Sequence, residues 1–182
     1  MSDGIWLARH GETDANAEGR VQGTIDEPLN DRGREQARAL AEQAAGLHLK
    51  ALYTSHLSRA RETAQIVGER IELTPVVDER FAESWRGDWE GRLIADIRRA
   101  DPAAWERSLS IEPHPDFRFP HGESLAEHAE RIEAALEDVR KGPLPALVVC
   151  HGGTIRRALA IRRPDVLTDL PLKNGLLVEV GE

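Results

Sequence analysis

A chain of 182 residues, 40% hydrophobic and 31% charged, is long enough for a full core within one domain and too apolar to stay disordered. Its net charge of −8 opposes nonspecific nucleic-acid binding, because a phosphate backbone would be repelled. No apolar run approaches the roughly 20 residues of a membrane-spanning helix, and the N-terminus lacks a signal-peptide pattern. The single cysteine, Cys150, cannot form an internal disulfide; it suits a reducing compartment and reads as buried filler in the run Ala146 to Cys150. The expectation is a cytoplasmic protein with no nucleic-acid and no membrane partner. Acidity does not exclude a small phosphorylated ligand, since a few converging arginines can dominate the local field.

Ile5 to Ala8 reads as a short apolar strand, and Gly11 opens a polar turn after it. Such a strand delivers Arg9 and His10 to its carboxyl end, where ligands bind in open α/β sheets. Arginine offers a cationic fork for phosphate oxygens, and neutral imidazole can act as a nucleophile. Alone, a histidine at a strand end is more often a hydrogen-bonded structural residue. A loop punctuated by Gly19, Gly23 and Pro28 follows, and Asn30 or Asp31 offers an N-cap. Ala37, Leu40, Ala41, Ala44 and Leu47 then recur at helical spacing.

Ala51 to Ser55 reads as a second strand, leading into a helix with Thr63, Ala64, Val67 and Ile71 on one side. Arg59 falls in its first turn, where a cation opposes the helix dipole; that small local cost makes an anion-binding role more plausible, while an exposed arginine remains the default reading. Pro75 to Val77 predicts a third strand. From Phe81 to Pro120 the pattern is irregular, with helical pieces around Leu93 to Arg99 and Pro102 to Leu109, then Pro113, Pro115 and Pro120. Six aromatics crowd this stretch: Phe81, Trp85, Trp89, Trp105, Phe117 and Phe119. It reads as an excursion over the sheet edge, either a lid shaping a pocket or a satellite core.

Ser124 to Glu127 is a capping box that opens the most regular helix, which Gly142 and Pro143 stop. Leu144 to Cys150 is a buried-type strand ending in His151-Gly152-Gly153, a short helix follows, and Leu176 to Val180 predicts the last strand. Strands alternating with helices imply an α/β fold, a three-layer α/β/α sandwich around a mostly parallel sheet. The strand ends Arg9-His10, Ser55 to Arg59 and His151-Gly152-Gly153 would then converge. Glycines beside both histidines would let the backbone approach a ligand closely.

With these residues in place, a resemblance is plain. Leu7-Ala8-Arg9-His10-Gly11-Glu12-Thr13 with Asn16, Gly19-Arg20, Gln22-Gly23, Ser55-x-Leu57-x-Arg59-Ala60, Glu83 followed by Gly87-x-Trp89-Glu90-Gly91, and His151-Gly152-Gly153 with Arg156 resemble the histidine phosphatase (phosphoglycerate-mutase-like) superfamily. The tract after Glu83 resembles the small bacterial phosphatases, α-ribazole phosphatases among them, whereas mutases more often place Arg and Tyr directly after that Glu. The resemblance covers nearly the whole chain and implies a single domain over residues 1–182, with 81–120 as a lid-like excursion.

It implies His10 as a nucleophile forming a phosphohistidine, and Arg9, Arg59 and His151 around the phosphoryl oxygens. Asn16, Gln22, Gly23 and Gly152 would bind substrate, and Glu83 would protonate the leaving alkoxide and then activate water. That last role calls for a carboxyl raised towards neutrality. A phosphomonoesterase without metal or other cofactor is expected, acting on a small phosphorylated metabolite; the aromatic stretch favours an apolar or ring-bearing leaving group. A cofactor-dependent phosphoglycerate mutase and a non-catalytic phospho-ligand module are the alternatives. A homodimer is compatible with the resemblance. Mutases are typically longer, with segments closing over the site, which argues for the phosphatase branch. His48, His56, His114, His121 and His128 mostly read as solvated or structural, while His56 and His121 depart from the family's commonest residues and are candidates to border the pocket.

Overall fold

The computed structural model describes residues 4–112, 115–167 and 170–181; Pro113 and His114 lie outside them. Its first elements are β1 (Ile5–Arg9), α1 (Asp14–Ala17), α2 (Asp31–Ala45), β2 (Ala51–Thr54), α3 (Ser58–Ile71) and β3 (Val76–Val77). The irregular stretch holds two 3-10 turns, Glu79–Phe81 and Gly87–Trp89, and the short helices α4 (Ile94–Ala100) and α5 (Pro102–Ser108). Then come α6 (Leu125–Arg140), β4 (Ala146–Cys150), α7 (Gly152–Arg162), α8 (Pro164–Leu167) and β5 (Leu177–Gly181). Asn30 caps α2 through its side chain, and Ser124 and Glu127 form the expected capping box on α6.

The five strands form one sheet in the order β3-β2-β4-β1-β5. β4 pairs in parallel with both β1 and β2, and β2 in parallel with β3; β5 alone runs antiparallel, against β1. The strand ends that carry His10, Ser55 and His151 are therefore adjacent, with the β4 end in the middle. Sequence order hides this, because the central strand is fourth in the chain.

Alternate residues of β4 serve opposite faces, as a pleated strand dictates. Leu147 and Val149 join Ala8 and Leu52 beneath Leu40, Ala41 and Ala44 of α2 and Ala60, Ala64 and Val67 of α3. Val148 and Cys150 join Ile5 and Leu7 beneath α6, through Ile132, Leu136 and Val139, and α7, through Ile155 and Leu159. Three layers result, as the alternation predicts. Among the described residues, no helix is long and apolar enough to cross a membrane.

The excursion after β3 builds a small core of its own, in which Trp89, Ile97, Phe117 and Phe119 pack with Val21 and Leu125. The Trp89 ring lies 5.4 Å from Phe119 and 6.0 Å from Trp105. Two aromatics of the expected group stand apart: Phe81 belongs to the core beneath α6 and α7, and Trp85 is 52% exposed. Isolated bridges, Arg20 with Leu93 and Arg118 with Ser124, tie this unit to the loop after α1 and to the start of α6.

Candidate active site

The amide of His10 continues the β1 ladder by donating to the Cys150 carbonyl at 3.0 Å. Its ring Nδ1 lies 2.6 Å from the Gly11 carbonyl, which can only accept, so Nδ1 carries the proton and Nε2 is the basic nitrogen. The Asn174 amide donates to the His10 carbonyl at 3.0 Å and to Asn16 Oδ1 at 3.1 Å. Burial first, and then the Arg59 and Arg9 charges, hold the His10 pKa well below the usual imidazole value. The ring is neutral at neutral pH.

His151 follows β4 and is fully buried, with its ring centroid 5.1 Å from that of His10. Its Nε2 is 2.9 Å from Ser55 Oγ, at the end of β2. Burial, Arg59 and His10 lower its pKa well below the usual value. Arg9 donates to the Leu172 carbonyl, and Arg59 donates to the carbonyls of Gly23 at 2.7 Å and Ile25 at 2.8 Å. Arg59 thus pins the loop opposite, which gives its position in the first turn of α3 a structural reason beside the anion-binding one. The Nε groups of Arg9 and Arg59 are both buried without a hydrogen-bond partner among the described residues. Burial lowers the Arg59 pKa to about 10, so the guanidinium stays charged at neutral pH.

Asn16 donates to Gln22 Oε1 at 3.2 Å, and Gln22 passes the chain on to Glu27 at 3.1 Å. Each amide therefore has a fixed orientation. Gly11 also has a packing purpose. A Cβ there would lie 2.2 Å from the Gly33 carbonyl oxygen, and one on Gly33 would lie 2.1 Å from that of Glu12. The two glycines let the loop after β1 rest directly on the start of α2.

Glu83 hangs from the excursion, and its carboxylate accepts from the amides of Ser84 at 2.8 Å and Gly153 at 2.9 Å. Arg86 Nη2 stands 3.5 Å away, and its guanidinium lies over the Phe119 ring. Burial pushes this carboxyl up, but Arg86, His128, His151 and the Gly153 amide together outweigh it and hold the pKa well below the usual carboxylate value. The expectation of a carboxyl raised towards neutrality is thus corrected for the free protein: Arg86, the two neighbouring imidazoles and the amide donors around Glu83 outweigh its desolvation. Gly153 leaves the carboxylate room, because a Cβ there would meet Glu83 Oε1 at 2.2 Å. Gly153→Ala should displace the carboxylate rather than the backbone. The expected result is an unchanged thermal melt with turnover of alkyl phosphates down by about 10²-fold, as for an ångström-scale misplacement of a reacting group.

A cavity of about 130 Å³ is lined by Arg9, His10, Asn16, Gln22, Gly23, Arg59, Glu83 and Gly152, with His151 buried behind. All the residues expected to carry catalysis or substrate binding therefore come together. Its other walls include Arg20, Arg86, Ile94 and Trp105, the last three supplied by the excursion. Asn174 and Arg86 were not legible as site residues, whereas Trp105 belongs to the aromatic stretch read as a lid or a satellite core and serves in both the cavity wall and the small core. Asn174 precedes β5 in an irregular loop, and Arg86 looked like one more charged residue in a variable tract. His121 is exposed, with Nδ1 2.9 Å from Asp88, and is not part of the cavity wall. His56 is exposed too and borders an adjoining hollow with Glu83 and Trp85. His128 is structural in the sense expected but wholly buried, its pKa lowered to about 3, chiefly by burial. Among the described residues, no three His, Cys, Asp or Glu side chains group as a metal site requires.

Fold and site together define an α/β protein that gathers two histidines, two arginines and one carboxylate at the carboxyl edge of a mostly parallel sheet. The chain belongs to the histidine phosphatase superfamily (branch 1), whose family model matches residues 5–178. A Klebsiella pneumoniae protein named probable phosphoglycerate mutase GpmB is 39% identical over 150 residues, covering 81% of this chain and 69% of the relative. A mycobacterial glucosyl-3-phosphoglycerate phosphatase solved with VO3 superposes with a TM-score of 0.80 at 31% identity, covering 96% of this chain and 90% of that one. A Thermus thermophilus structure named phosphoglycerate mutase superposes with a TM-score of 0.75 at 33% identity, covering 96% and 91%. Relatives of both kinds, phosphatase and mutase, are therefore present.

Proposed function

We propose that this chain is a phosphomonoesterase that works on a small phosphorylated metabolite through a phosphohistidine on His10, with no metal in the reaction. The observation that carries the reading is the His10 ring, with Nδ1–H fixed on the Gly11 carbonyl and Arg9, Arg59 and Glu83 in the same cavity wall. Nε2 attacks phosphorus in line, the N–P bond forms, and the ester P–O bond breaks. Glu83 gives its proton to the departing alkoxide. Water then attacks the phosphohistidine, Glu83 takes a proton from it, and the N–P bond breaks to release inorganic phosphate and neutral His10. Arg9, Arg59 and His151 stabilise the charge on the phosphoryl oxygens.

Glu83 is a carboxylate by its own surroundings, yet the first step needs its acid form. A phosphomonoester dianion beside it opposes the field of Arg86 and the other cations and raises the carboxyl pKa. The substrate thereby recruits its own general acid. The mutase reading is favoured by the names of the Klebsiella relative and the Thermus structure, and the phosphatase reading by the name of the mycobacterial structure. Incubation with 3-phosphoglycerate and catalytic 2,3-bisphosphoglycerate separates them. We expect inorganic phosphate to appear faster than 2-phosphoglycerate; the reverse order would assign the chain to the mutases. EDTA should leave the rate unchanged.

A further inference from the structure

Glu83 lies in a segment that no regular structure holds. The 3-10 turn Glu79–Phe81 ends just before it, and residues 82–86 form neither helix nor strand, although residues 81–84 are buried. Carbonyls in such a segment need donors from elsewhere, because buried backbone oxygens are rarely left unpaired. Arg131, in the second turn of α6, supplies most of them. Its Nη1 donates to the carbonyls of Arg80 at 2.7 Å and Ala82 at 2.8 Å, and its Nη2 to that of Glu83 at 3.1 Å. The Thr154 hydroxyl of α7 adds a second donor to the Ala82 carbonyl, at 3.1 Å.

The guanidinium is itself fixed. Nε and Nη2 make a bidentate pair with Glu123 at 2.7 Å and 2.9 Å, so all five of its N–H donors are used. Glu123 Oε2 also accepts from the Trp85 amide at 3.3 Å, and the Glu123 amide donates to the Trp85 carbonyl at 2.8 Å. One ion pair thus grips the backbone on both sides of the Glu83 side chain. The groups that act most on the Glu83 carboxyl are Arg86, His128, His151 and the Gly153 amide, not Arg131. The influence of Arg131 passes through the backbone.

We infer that Arg131, held by Glu123, is a positioning residue: it fixes residues 80–85 so that the Glu83 carboxyl reaches the leaving oxygen. The inference deepens the phosphomonoesterase reading and rests on it for the role of Glu83 as general acid. Proton donation tolerates little displacement, since a reacting group misplaced by about 1 Å costs about 10²-fold in rate. Lysine is no substitute here, because a point ammonium with three donors cannot span three carbonyls and a carboxylate as the planar fork does.

The test compares kcat/KM for glycerol 3-phosphate and p-nitrophenyl phosphate in the wild type, Arg131→Gln, Glu83→Gln and the double variant. This quantity reports the phosphorylation step, in which an alkoxide needs the proton of Glu83 and a phenolate hardly does. Arg131→Gln should lower the glycerol 3-phosphate value by about 10²-fold and the p-nitrophenyl value far less. In the Glu83→Gln background the same substitution should cost almost nothing more, because groups that act as one unit are not additive. Equal losses on both substrates, or the full further loss in the Glu83→Gln background, would make Arg131 a structural tie and overturn the proposal. If Arg131→Gln fails to fold, Arg131→Lys and Glu123→Gln take its place with the same selective loss expected and the same contrary result. Amide hydrogen exchange over residues 80–86, which needs no turnover, should quicken in Arg131→Lys; unchanged exchange would overturn the clamp. Quickened exchange in a protein that hydrolyses neither substrate would sink the phosphatase reading and keep the clamp. Selective loss in Glu83→Gln beside uniform loss in Arg131→Gln would sink the positioning role alone.

Discussion

His10→Ala should lower kcat for phosphomonoester hydrolysis by about 10⁴-fold or more, the scale seen when a covalent nucleophile is deleted. The loss is large because no second nucleophile stands ready: the His151 ring is committed to Ser55 Oγ through Nε2 and is fully buried. The fold should survive, since the His10 side chain contributes one hydrogen bond, to the adjacent Gly11 carbonyl. Circular dichroism and a thermal melt check that point. The direction of the His10 pKa shift adds a pH expectation. Its folded value lies well below the usual one, so the neutral, nucleophilic form persists as pH falls through the ordinary imidazole range. Activity corrected for substrate ionisation should therefore fail through His10 only well below that range. An acid limb at the ordinary imidazole pKa in the kcat/KM profile would contradict the burial argument.

The second large effect concerns Glu83. Glu83→Gln keeps an acceptor for only one of the Ser84 and Gly153 amides, which donate to different carboxylate oxygens, and has no proton to give. Alkyl phosphates, whose alkoxides depart with difficulty, should slow by about 10²–10⁴-fold, the usual range for general acid–base assistance. Aryl phosphates should slow far less in the phosphorylation step, because a phenolate leaves with little help. A leaving-group series measured on both proteins shows this as a steeper dependence in Glu83→Gln. Equal losses across the series would remove Glu83 from the acid role and leave it a structural ligand of the Gly153 amide.

The parts of the site that were legible in the sequence are those carried by regular strands. Arg9 and His10 follow an apolar run that could only be a buried strand, and the same is true of His151 after Ala146 to Cys150. Their convergence then follows from parallel pairing, with β4 between β1 and β2. The helices were read close to their observed limits, because periodicity and caps mark them directly. Other features depend on contacts between distant residues and leave no local mark. The antiparallel direction of β5 is not encoded in its alternation, and Asn174 reaches His10 and Asn16 only because β5 lies beside β1.

Arg156 and Arg157 are neighbours on one helix, yet one holds two carbonyls of the excursion and the other holds nothing. The family resemblance picks out Arg156, but nothing local in the sequence shows that Arg157 is the one tied to the excursion. The pKa of Glu83 failed as an expectation for a similar reason. Desolvation alone would raise it, but the opposing Arg86 charge and the neighbouring His128 and His151 rings come from the excursion, from α6 and from the end of β4. Only the folded arrangement brings them together. The glycine beside His10 was legible as important, but its close approach to the Gly33 backbone left no mark in the sequence.

The central claim is that the phosphoryl group passes through His10, and rapid-quench trapping with a radiolabelled phosphomonoester tests it most directly. Wild-type protein quenched in base during turnover should carry label on the peptide that contains His10, stable to alkali and lost in acid. The label should form at least as fast as the steady-state rate and be absent from His10→Ala. Full turnover with no trapped label on the wild type, or label on a residue other than His10, would contradict the account.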